Sequence, residues 1–403
     1  YGKVGYRVRA RKFTGAVMVR RKRSTPNPNT ESKEYHIHLL LPIHTAMGRG
    51  IFDGIVEVAG HRLDWHCGVI RELKQTDVPT IGPPAADAVL GGVRHHLAKD
   101  WDTDQRRRVV NTSRGYDDGE IANVICDDQR IGRMAADHLL GKNLQAFAYC
   151  GGASGRESGF AERIRGAGRP YQCLLPDEHP ETDLESWLET LPPRTGIMGF
   201  NDDMAAMILW AAQRIGRAVP EDLAVVGVDA DPVQSFLAPV PISSVDPNFH
   251  RVGYRAAELL DRILKDGHDA RGETILVPPA GVVEQGSSDF PGIDDPQVIK
   301  AARFIRRHAC DGILVRDVVT EIPLSRRPLE RRFRAAFGRS MLEEIHRVRV
   351  AEAARMLKQT ELPVGVIARQ VGFHGNDRLT EAFRTVLSMT PADYRRDESG
   401  GEV

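Results

Sequence analysis

The chain has 403 residues and a mass of 44.7 kDa, with 41% hydrophobic residues and 55 basic against 55 acidic side chains. This length predicts two or three domains, each large enough to bury a hydrophobic core. No apolar run approaches the ~20 residues that a membrane-spanning helix needs, so no membrane partner is predicted. The five cysteines are widely spaced and include no C-x-x-C pair, which argues against a disulfide framework and favours a reducing cytoplasm.

The zero net charge hides a strong separation of charge along the chain. Residues 1–33 hold 10 basic and 1 acidic side chains, residues 34–295 hold 25 and 40, and residues 296–396 hold 20 and 11. This asymmetry predicts a polyanionic partner for the basic C-terminal segment and a different ligand for the acidic centre. Because a solvated surface also explains a lone run of positive charge, the fold of that segment must decide between the two.

Residues 1–35 are predicted to form a disordered basic tail. They include the run Arg20-Arg21-Lys22-Arg23 and show little apolar periodicity. No hydrophobic stretch follows the basic residues, so the tail is not a secretory signal. It is either an additional DNA-contacting arm or sequence upstream of the true start, and the second interpretation is favoured.

Residues 36–285 alternate strand-like and helical segments, as a parallel α/β sheet does. The clearest strands are 146–150, 196–200 and 223–228. Polar side chains follow these strands at the edge where such sheets bind ligands, and Arg156, Asn201 and Asp229 offer the donors and acceptors that suit sugar hydroxyls. Capping of the next helix is the alternative for the Asn and Asp residues. Because no G-x-G-x-x-G follows the first strand and no G-x-x-x-x-G-K-[ST] is present, no cofactor is predicted.

Three motifs in this region resemble, in order, the effector-binding domain of LacI/GalR-type repressors, which is similar to periplasmic sugar-binding proteins. They are Asn201-Asp202-Asp203-Met204-Ala205, residues 219–229 and residues 241–245. The resemblance implies two lobes, built on parallel sheets, that clamp a sugar between them. It implies effector contacts from Arg156, Asn201, Asp229 and Asp246. Between residues 68 and 115 the chain departs from the family pattern, so His44 and Arg114 are only guesses for contacts from the first lobe.

After a linker at residues 286–295, residues 296–396 are predicted to contain two helix-turn-helix units. A helix near 315–321 stops at Pro323, and the next begins after Ser325, with an apolar stripe on one face and arginines on the other. The pattern recurs after a long helix at 341–358. The predicted buried stripes are Leu329, Phe333, Ala336 and Phe337 in the first unit, and Leu379, Phe383 and Val386 in the second.

The N-terminal ends of the second helix in each unit are predicted to enter the major groove about 10 bp apart. Ser325 is the expected cap in the first unit, and Arg326 and Arg327 are the candidates for reading base edges. Asn376 and Arg378 hold the corresponding places in the second unit. Arg331 contacts phosphate or is simply solvated.

The same segment resembles the AraC family throughout its length, on residues that include Leu329, Phe333, Gly372-Phe373, Phe383 and Thr390-Pro391. The family usually has a side-chain cap at the position of Gly375 and an aromatic residue at that of Leu379. These departures predict that the second unit is less well anchored and binds DNA more weakly.

A LacI-like sensor followed by an AraC-type reader resembles the layout of xylose-operon activators. The resemblance implies an α/β two-lobed domain followed by an all-α double helix-turn-helix domain. It implies a sugar-responsive regulator that activates a D-xylose catabolic operon, with operator DNA, a monosaccharide, RNA polymerase and a second copy of the chain as partners. A sugar-binding sensor without functional DNA readout is the alternative.

An enzyme is the competing class, and the sequence argues against it. The residues His61, His66 and Cys67, with His44, form the only tempting cluster, and they lack a fourth metal ligand at a suitable spacing. Neither a catalytic residue nor a metal site is therefore predicted.

Overall fold

The computed structural model describes residues 16–18, 34–60, 64–70, 86–93, 98, 101–114, 119–142, 144–176, 178, 182–289, 295–360 and 362–399. The chain divides into two compact units. The first comprises Tyr1–Leu140, Gln145–Val219 and Ala224–Ser288, and the second comprises Gly141–Leu144, Pro220–Leu223 and Asp289–Val403.

The first unit contains two sheets. Its strands are β1 (Ala16–Met18), β2 (Tyr35–Leu40), β3 (Trp65–Ile70), β4 (Ala88–Gly91), β5 (Val109–Asn111), β6 (Ala122–Cys126), β7 (Ala146–Cys150), β8 (Tyr171–Leu174), β9 (Thr195–Gly199), β10 (Leu223–Val228), β11 (Ser243–Asp246), β12 (Thr274–Val277) and β13 (Gly281–Val283). The strand order is β1-β3-β2-β4-β5-β6-β12 in the first sheet and β13-β11-β10-β9-β7-β8 in the second. We call the part of the unit built on each sheet a lobe.

Both sheets are mainly parallel, as the alternating sequence pattern predicts. In the first sheet β2 pairs in parallel with β3 and β4, and β12 pairs in parallel with β6. The antiparallel pairs described lie at sheet edges, where β1 meets β3 and β13 meets β11. Most of the predicted tail at 1–35 and part of the predicted linker at 286–295 lie outside the described residues. Within that tail, Ala16–Met18 form the short strand β1 rather than the predicted disordered chain, and this strand extends the first sheet beside β3.

The helices whose bounds lie within the described residues of the first unit are α1 (Ala46–Ala59), α2 (Thr103–Arg106), α3 (Asp128–Leu140), α4 (Gly155–Gly166), α5 (Leu184–Thr190), α6 (Asp202–Arg214), α7 (Pro232–Leu237) and α8 (Phe249–Asp266). Side-chain caps fix where several of them begin, for example Thr45 for α1 and Asp183 for α5. In the first lobe, the buried faces of α1 and α8 pack against the sheet through residues such as Ile51 and Leu260. Their apolar burial is the main force that holds this lobe together.

Beyond its short segments from 141–144 and 220–223, the regular structure in the described residues of the second unit is all helical. Its helices are α9 (Pro296–His308), α10 (Val315–Glu321), α11 (Arg326–Phe337), α12 (Met341–Gln359), α13 (Val364–Gln370), α14 (Asn376–Leu387) and α15 (Pro391–Ser399), with a 3₁₀ turn at Ala309–Asp311. None of the helices in the described part of the chain is long and apolar enough to cross a membrane.

Two hydrophobic cores lie along the long helix α12. Met341 and Ile345, near its start, pack with Leu329 and Phe333 of α11. Residues of its later turns pack with α13 and α14, in a cluster that includes Val350, Ala354, Leu357, Ile367, Leu379 and Phe383. One helix therefore contributes to the core of each predicted helix-turn-helix unit.

The predicted stripes agree with these cores except at one residue. Leu329, Phe333 and Phe337 are buried, and so are Leu379 and Phe383, while Ala336 is partly buried against the first core. The prediction for Val386 is wrong, because this side chain is 38% exposed. Helical spacing places it near the apolar stripe of α14, but in the last turn of that helix its neighbour Leu387 packs against the second core instead.

Candidate functional site

Polar side chains from both lobes meet beyond the ends of the central strands. Arg156 is the second residue of α4, shortly after β7, and Phe200 directly follows β9. Asp229 directly follows β10, and Asp128 opens α3 two residues after β6. Together with Arg114, which follows β5, these residues form what we call the Arg156 cluster. It lies at the strand ends, where α/β proteins bind ligands.

Arg156 is at the centre of this cluster and is only 2% exposed. Its Nε donates to Asp128 Oδ1 at 3.1 Å, and its Nη1 donates to the carbonyl oxygen of Phe200 at 2.6 Å. Its Nη2 lies 3.7 Å from Asp229 Oδ1. A buried charge is tolerated only with such partners, so the two carboxylates fix the position of the guanidinium group.

Arg114 brings the first lobe into the cluster. Its Nη1 lies 2.5 Å from Asp128 Oδ2. The guanidinium carbons of Arg114 and Arg156 lie 5.5 and 5.0 Å from the centroid of the Phe200 ring, within range of cation–π attraction. Burial and the like charge of Arg156 lower the pKa of Arg114.

Asp229 has an unusual backbone and an unusual pKa. Its φ is 115°, a value that residues other than glycine rarely adopt. Burial raises the pKa of its carboxyl to about 6, although Arg156 and Arg114 favour the ionised form. A strained residue with a perturbed pKa in a cluster of this kind is typical of a binding site.

A second ion pair joins residues of the two lobes near the same strand ends. Arg49 of α1 places Nη2 3.3 Å from Asp231 Oδ1, two residues beyond Asp229. The Nη1 of Arg49 also donates to the carbonyl oxygen of His44. His44 and Arg114 were the two guesses for contacts from the first lobe. His44 only accepts a hydrogen bond from Arg49 through its backbone carbonyl, whereas the charged side chain of Arg114 is part of the cluster itself.

The four predicted effector residues fall into two groups. Arg156 and Asp229 are brought together by the ion pair described above. Asn201 behaves as the capping alternative predicts, because its Oδ1 accepts from the amide of Met204 at 2.9 Å. Asp246 accepts from the amide of Asn248 at 2.7 Å in the turn before α8. Direct effector contact by any of the four stays a prediction.

Sequence reasoning missed Asp128 and Phe200 as members of the cluster. Asp128 has the same sequence signal as Asp229, namely an acidic residue at the end of a buried strand, in the pair Asp127-Asp128. From sequence, Phe200 is indistinguishable from the last apolar residue of a buried strand. Its ring becomes part of the site only because two arginines from different lobes lie beside it.

Close contact between α3 and α4 places Arg156 and Asp128 side by side. A Cβ on Gly159 would lie 2.2 Å from the carbonyl oxygen of Gln129, and one on Gly132 would lie 2.1 Å from that of Arg156. The two helices therefore approach each other backbone to backbone, which only glycine permits at these positions.

Replacing Gly159 with alanine is expected to push the two helices apart and destabilise the protein by about 3 kcal/mol, the upper part of the usual cost of overpacking. Thermal unfolding followed by circular dichroism measures the effect. The matched control is Gly166→Ala on the same helix, where a Cβ would meet nothing within 4 Å. Equal melting temperatures for the two variants would contradict the proposed close contact.

The first helix-turn-helix unit consists of α10 and α11. Ser325 occupies the N-cap position of α11, but its side chain accepts no capping hydrogen bond. Arg326, Arg327 and Arg331 are all exposed, and Arg326 pairs with Glu330 at 2.8 Å. Among the described residues, Arg327 and Arg331 make no ion pair, so their guanidinium groups are available to a polyanion.

The second helix-turn-helix unit consists of α13 and α14. Gly375 precedes α14 without a side-chain cap, as the sequence predicts, whereas Leu379 is fully buried in the second core and anchors the helix. Asn376 and Arg378 are exposed near its start, and Arg378 pairs with Glu381 at 3.1 Å. Base contact by these residues and by those of α11 stays a prediction.

Buried charged groups on α12 stiffen the C-terminal helical unit as a whole. Arg349 donates to the carbonyl oxygens of Ala309 and Ile313, both at 2.7 Å. Glu344 is fully buried, and although burial alone would raise its pKa, Arg347, Arg339 and Arg306 lower it to about 2. Satisfied buried networks of this kind hold helices in one arrangement.

Comparison with known proteins supports both halves of this description. A model of the periplasmic binding protein-like domain matches residues 136–288, and a model of a helix-turn-helix domain matches residues 318–397. A solved structure described as the xylose-binding transcription activator xylR is 27% identical, has a TM-score of 0.68, and covers 91% of this chain and 99% of its own. A cellobiose complex of the regulator CelR, 18% identical with a TM-score of 0.52, covers 64% of this chain and 86% of its own and shares the fold of the α/β part.

The fold and the two sites define a ligand-responsive, DNA-binding transcription regulator. The xylose operon regulatory protein of Escherichia coli (strain K12) is 30% identical over 90% of this chain and 97% of its own length, and that of Haemophilus influenzae is 31% identical over 68% and 74%. The chain belongs to the family of xylose operon regulatory proteins. The predicted fold class and the predicted class of regulator are confirmed.

Proposed function

We propose that this chain is a cytoplasmic activator of a D-xylose catabolic operon, with D-xylose as its effector at the Arg156 cluster. Its relatives are named as xylose operon regulatory proteins, and one solved relative is described as xylose-binding. The observation that carries the proposal is the arrangement of Arg156 between Asp128 and Asp229. A guanidinium group flanked by carboxylates can bind neighbouring hydroxyl groups through several charge-assisted hydrogen bonds.

The charges at the site favour a neutral sugar over a sugar phosphate. Each of the guanidinium groups of Arg49, Arg114 and Arg156 already faces a carboxylate, supplied by Asp231, Asp128 and Asp229. A phosphate would meet these carboxylates as like charges, whereas a neutral polyol can share hydrogen bonds with both partners of each pair.

The mechanism that we propose is a shift between two arrangements of the lobes. Arg49–Asp231 and Arg114–Asp128 join residues of different lobes, because the helix α3 that begins at Asp128 packs on the second sheet. A sugar that contacts these groups therefore changes the stability of the arrangement in which they are paired. An effector can shift the equilibrium only by its difference in affinity for the two arrangements. The C-terminal helical unit, with both of its helix-turn-helix units, would then bind tandem segments of operator DNA and bring RNA polymerase to the promoter.

The decisive experiment is a titration of the full chain with D-xylose while its binding to DNA is followed by fluorescence anisotropy. The DNA is a duplex that the wild-type protein selects from a random pool. D-xylose is expected to change the affinity for this duplex at least fivefold, and D-xylose 5-phosphate is expected to have no effect. An unchanged DNA affinity with D-xylose, L-arabinose and D-ribose would reject the sugar switch.

The dependence of DNA affinity on salt concentration distinguishes the proposed regulator from the alternative, a sensor without functional DNA readout. Phosphate contacts release counterions, so DNA affinity falls steeply as salt rises. A chain with a vestigial reader would show weak binding to every duplex, with no sequence preference at any salt concentration.

We propose a homodimer in which α6 and α7 form the contact surface. Met207 and Trp210 of α6 are 55% and 44% exposed, and Val233 and Leu237 of α7 are 51% and 56% exposed. Exposed apolar side chains grouped on neighbouring helices mark an interaction surface, and a second copy can cover them symmetrically. Sedimentation of the wild-type chain at micromolar concentration tests this proposal, and a monomer would contradict it.

We propose that the chain has no enzymatic activity, which fits its family of regulators. Of the residues that offered the enzyme alternative, His61 lies outside the described residues, and His66 and Cys67 are poorly suited to catalysis. Burial raises the pKa of Cys67 to about 11, so its thiol is not a nucleophile at neutral pH, and His66 pairs with Glu34.

Affinity for D-xylose is expected to fall about tenfold between pH 7 and pH 5. The pKa of Asp229 is raised to about 6, so its carboxylate is present above this pH and is lost as the pH falls. The charged groups that act on it are Arg156, Arg114, Asp203 and Asp231. Isothermal titration calorimetry at several pH values measures the effect, and Asp229→Asn, whose side chain does not titrate, should bind weakly with little change between pH 7 and pH 5. A wild-type affinity that is flat over this range would contradict the assignment.

A further inference from the structure

The turn formed by Asp229, Ala230 and Asp231 holds one side of the proposed effector site. Asp229 and Ala230 have φ values of 115° and 51°, so two successive residues other than glycine adopt left-handed backbone. Such conformations cost free energy and persist only where the surroundings hold them. The turn carries Asp229, which faces Arg156, and Asp231, which faces Arg49.

Three successive amide groups of this turn are held by the structure beneath it. The amide of Asp229 donates to the carbonyl oxygen of Val245 at 3.1 Å. The amide of Ala230 donates to Ser244 Oγ at 2.9 Å, and that of Asp231 donates to Asp202 Oδ2 at 2.7 Å. Ser244 Oγ in turn donates to Asp202 Oδ1 at 2.7 Å. Two of the three amides therefore depend, directly or through Ser244, on the carboxyl group of Asp202.

Asp202 is placed for this role by its neighbours. It is the first residue of α6 and is 1% exposed, while Ser244 in β11 is 2% exposed. A Cβ on Gly227 would lie 2.1 Å from Asp202 Oδ1, so the carboxyl group occupies the space beside a residue that has no side chain. Burial of this carboxyl raises its pKa to about 8, a cost that the folded protein sustains.

We propose that Asp202 is a positioning residue for the effector site, which holds the turn at Asp229–Asp231 through Ser244 and the amide of Asp231. Asp202 lies beneath the turn and acts on the effector through Asp229, and on the pairing of the lobes through Asp231. The inference rests on the proposed function, because it assigns Asp202 to the sugar affinity of the same site.

The test compares variants of Asp202 and Ser244 in the full chain, with D-xylose as the probe in isothermal titration calorimetry. Asp202→Ala and Ser244→Ala are expected to weaken binding tenfold or more. Asp202→Asn is expected to stay within threefold of wild type, because its amide oxygen can accept from Asp231 and its amide nitrogen can donate to Ser244 Oγ. Rescue by asparagine separates a loss of these two hydrogen bonds from a loss of charge.

Ser243→Ala is the matched control. Ser243 is the neighbouring buried serine of β11, and its Oγ bonds to the backbone of Gln285. This variant is expected to lose stability as Ser244→Ala does, while its D-xylose affinity stays at the wild-type value. Equal losses of affinity in the two serine variants would show a general effect of damage to β11 and would overturn the proposal.

Amide hydrogen exchange of the sugar-free protein tests the positioning role without reference to any effector. Exchange at Ala230 and Asp231 is expected to be at least tenfold faster in Ser244→Ala and Asp202→Ala than in wild type and Ser243→Ala. If wild type binds none of the sugars tested, the proposed function fails and the exchange rates still decide the role of Asp202. If Asp202→Ala does not fold, Ser244→Ala decides, and wild-type exchange in that variant would overturn the proposal.

Discussion

Replacing Arg156 is expected to abolish the response to D-xylose. Its side chain is 2% exposed and links Asp128, Asp229 and the carbonyl oxygen of Phe200. Arg156→Ala leaves the partly buried carboxylate of Asp229 without this partner and leaves Asp128 paired with Arg114 alone. Removing one partner of a buried ion pair costs about 3–5 kcal/mol. Arg156→Lys keeps the charge but cannot reach all three acceptors at once, so D-xylose affinity is expected to fall at least thirtyfold, or about 2 kcal/mol.

Calorimetry with D-xylose and thermal unfolding measure the two effects. The control is Arg163→Ala on the same helix, because Arg163 pairs with Asp137 at the surface, where side chains are about half exposed. That pair is expected to contribute less than about 1 kcal/mol. A folded Arg156→Lys variant with wild-type D-xylose affinity would remove Arg156 from the proposed effector site.

Replacing Arg327 with alanine is expected to weaken binding to the selected duplex by about 10- to 100-fold, or 1–3 kcal/mol, because arginine reads guanine through two hydrogen bonds. Arg327 is exposed near the start of α11 and makes no ion pair within the described residues. Arg378→Ala is expected to have a smaller effect, because Arg378 pairs with Glu381 and α14 also carries Asp377. The first helix-turn-helix unit is therefore expected to contribute most of the proposed DNA readout.

Anisotropy titrations at two salt concentrations distinguish a base contact from a phosphate contact. A lost base contact weakens binding to the selected duplex much more than to an unrelated one, whereas a lost phosphate contact weakens both and lowers the salt dependence. Arg355→Ala serves as the control, because Arg355 pairs with Glu352 on α12. D-xylose affinity should be unchanged in all three variants. Wild-type DNA affinity in Arg327→Ala would reject α11 as the main reading helix.

Much of the DNA-binding unit could be predicted because its determinants are local. The apolar stripe of α11 at Leu329, Phe333 and Phe337 follows helical spacing, and these residues are buried. The prediction that Val386 is buried is wrong because spacing alone does not show which side chain of the last turn of α14 meets the core, and Leu387 does so. The charge separation between the central and C-terminal segments likewise needs only the order of residues.

The Arg156 cluster was predictable only in part. Arg156 and Asp229 could be found because polar residues after buried strands point to the ligand edge of a parallel sheet. Asn201 has the same signal and caps α6, so position after a strand does not distinguish a ligand contact from a cap. Asp202, its neighbour, looks like an ordinary first-turn acid in sequence, yet it lies beneath the turn at Asp229.

The alternation of strands and helices, the two helix-turn-helix units and the separation of charge are all predictable from residue order, because each depends on residues near one another in the chain. Which charges meet depends on the folded arrangement. Arg156 and Asp128 are 28 positions apart, and Arg49 and Asp231 are 182 positions apart. Such pairs form because separate sheets bring their strand ends together, and burial then makes each charge depend on a partner that spacing cannot identify.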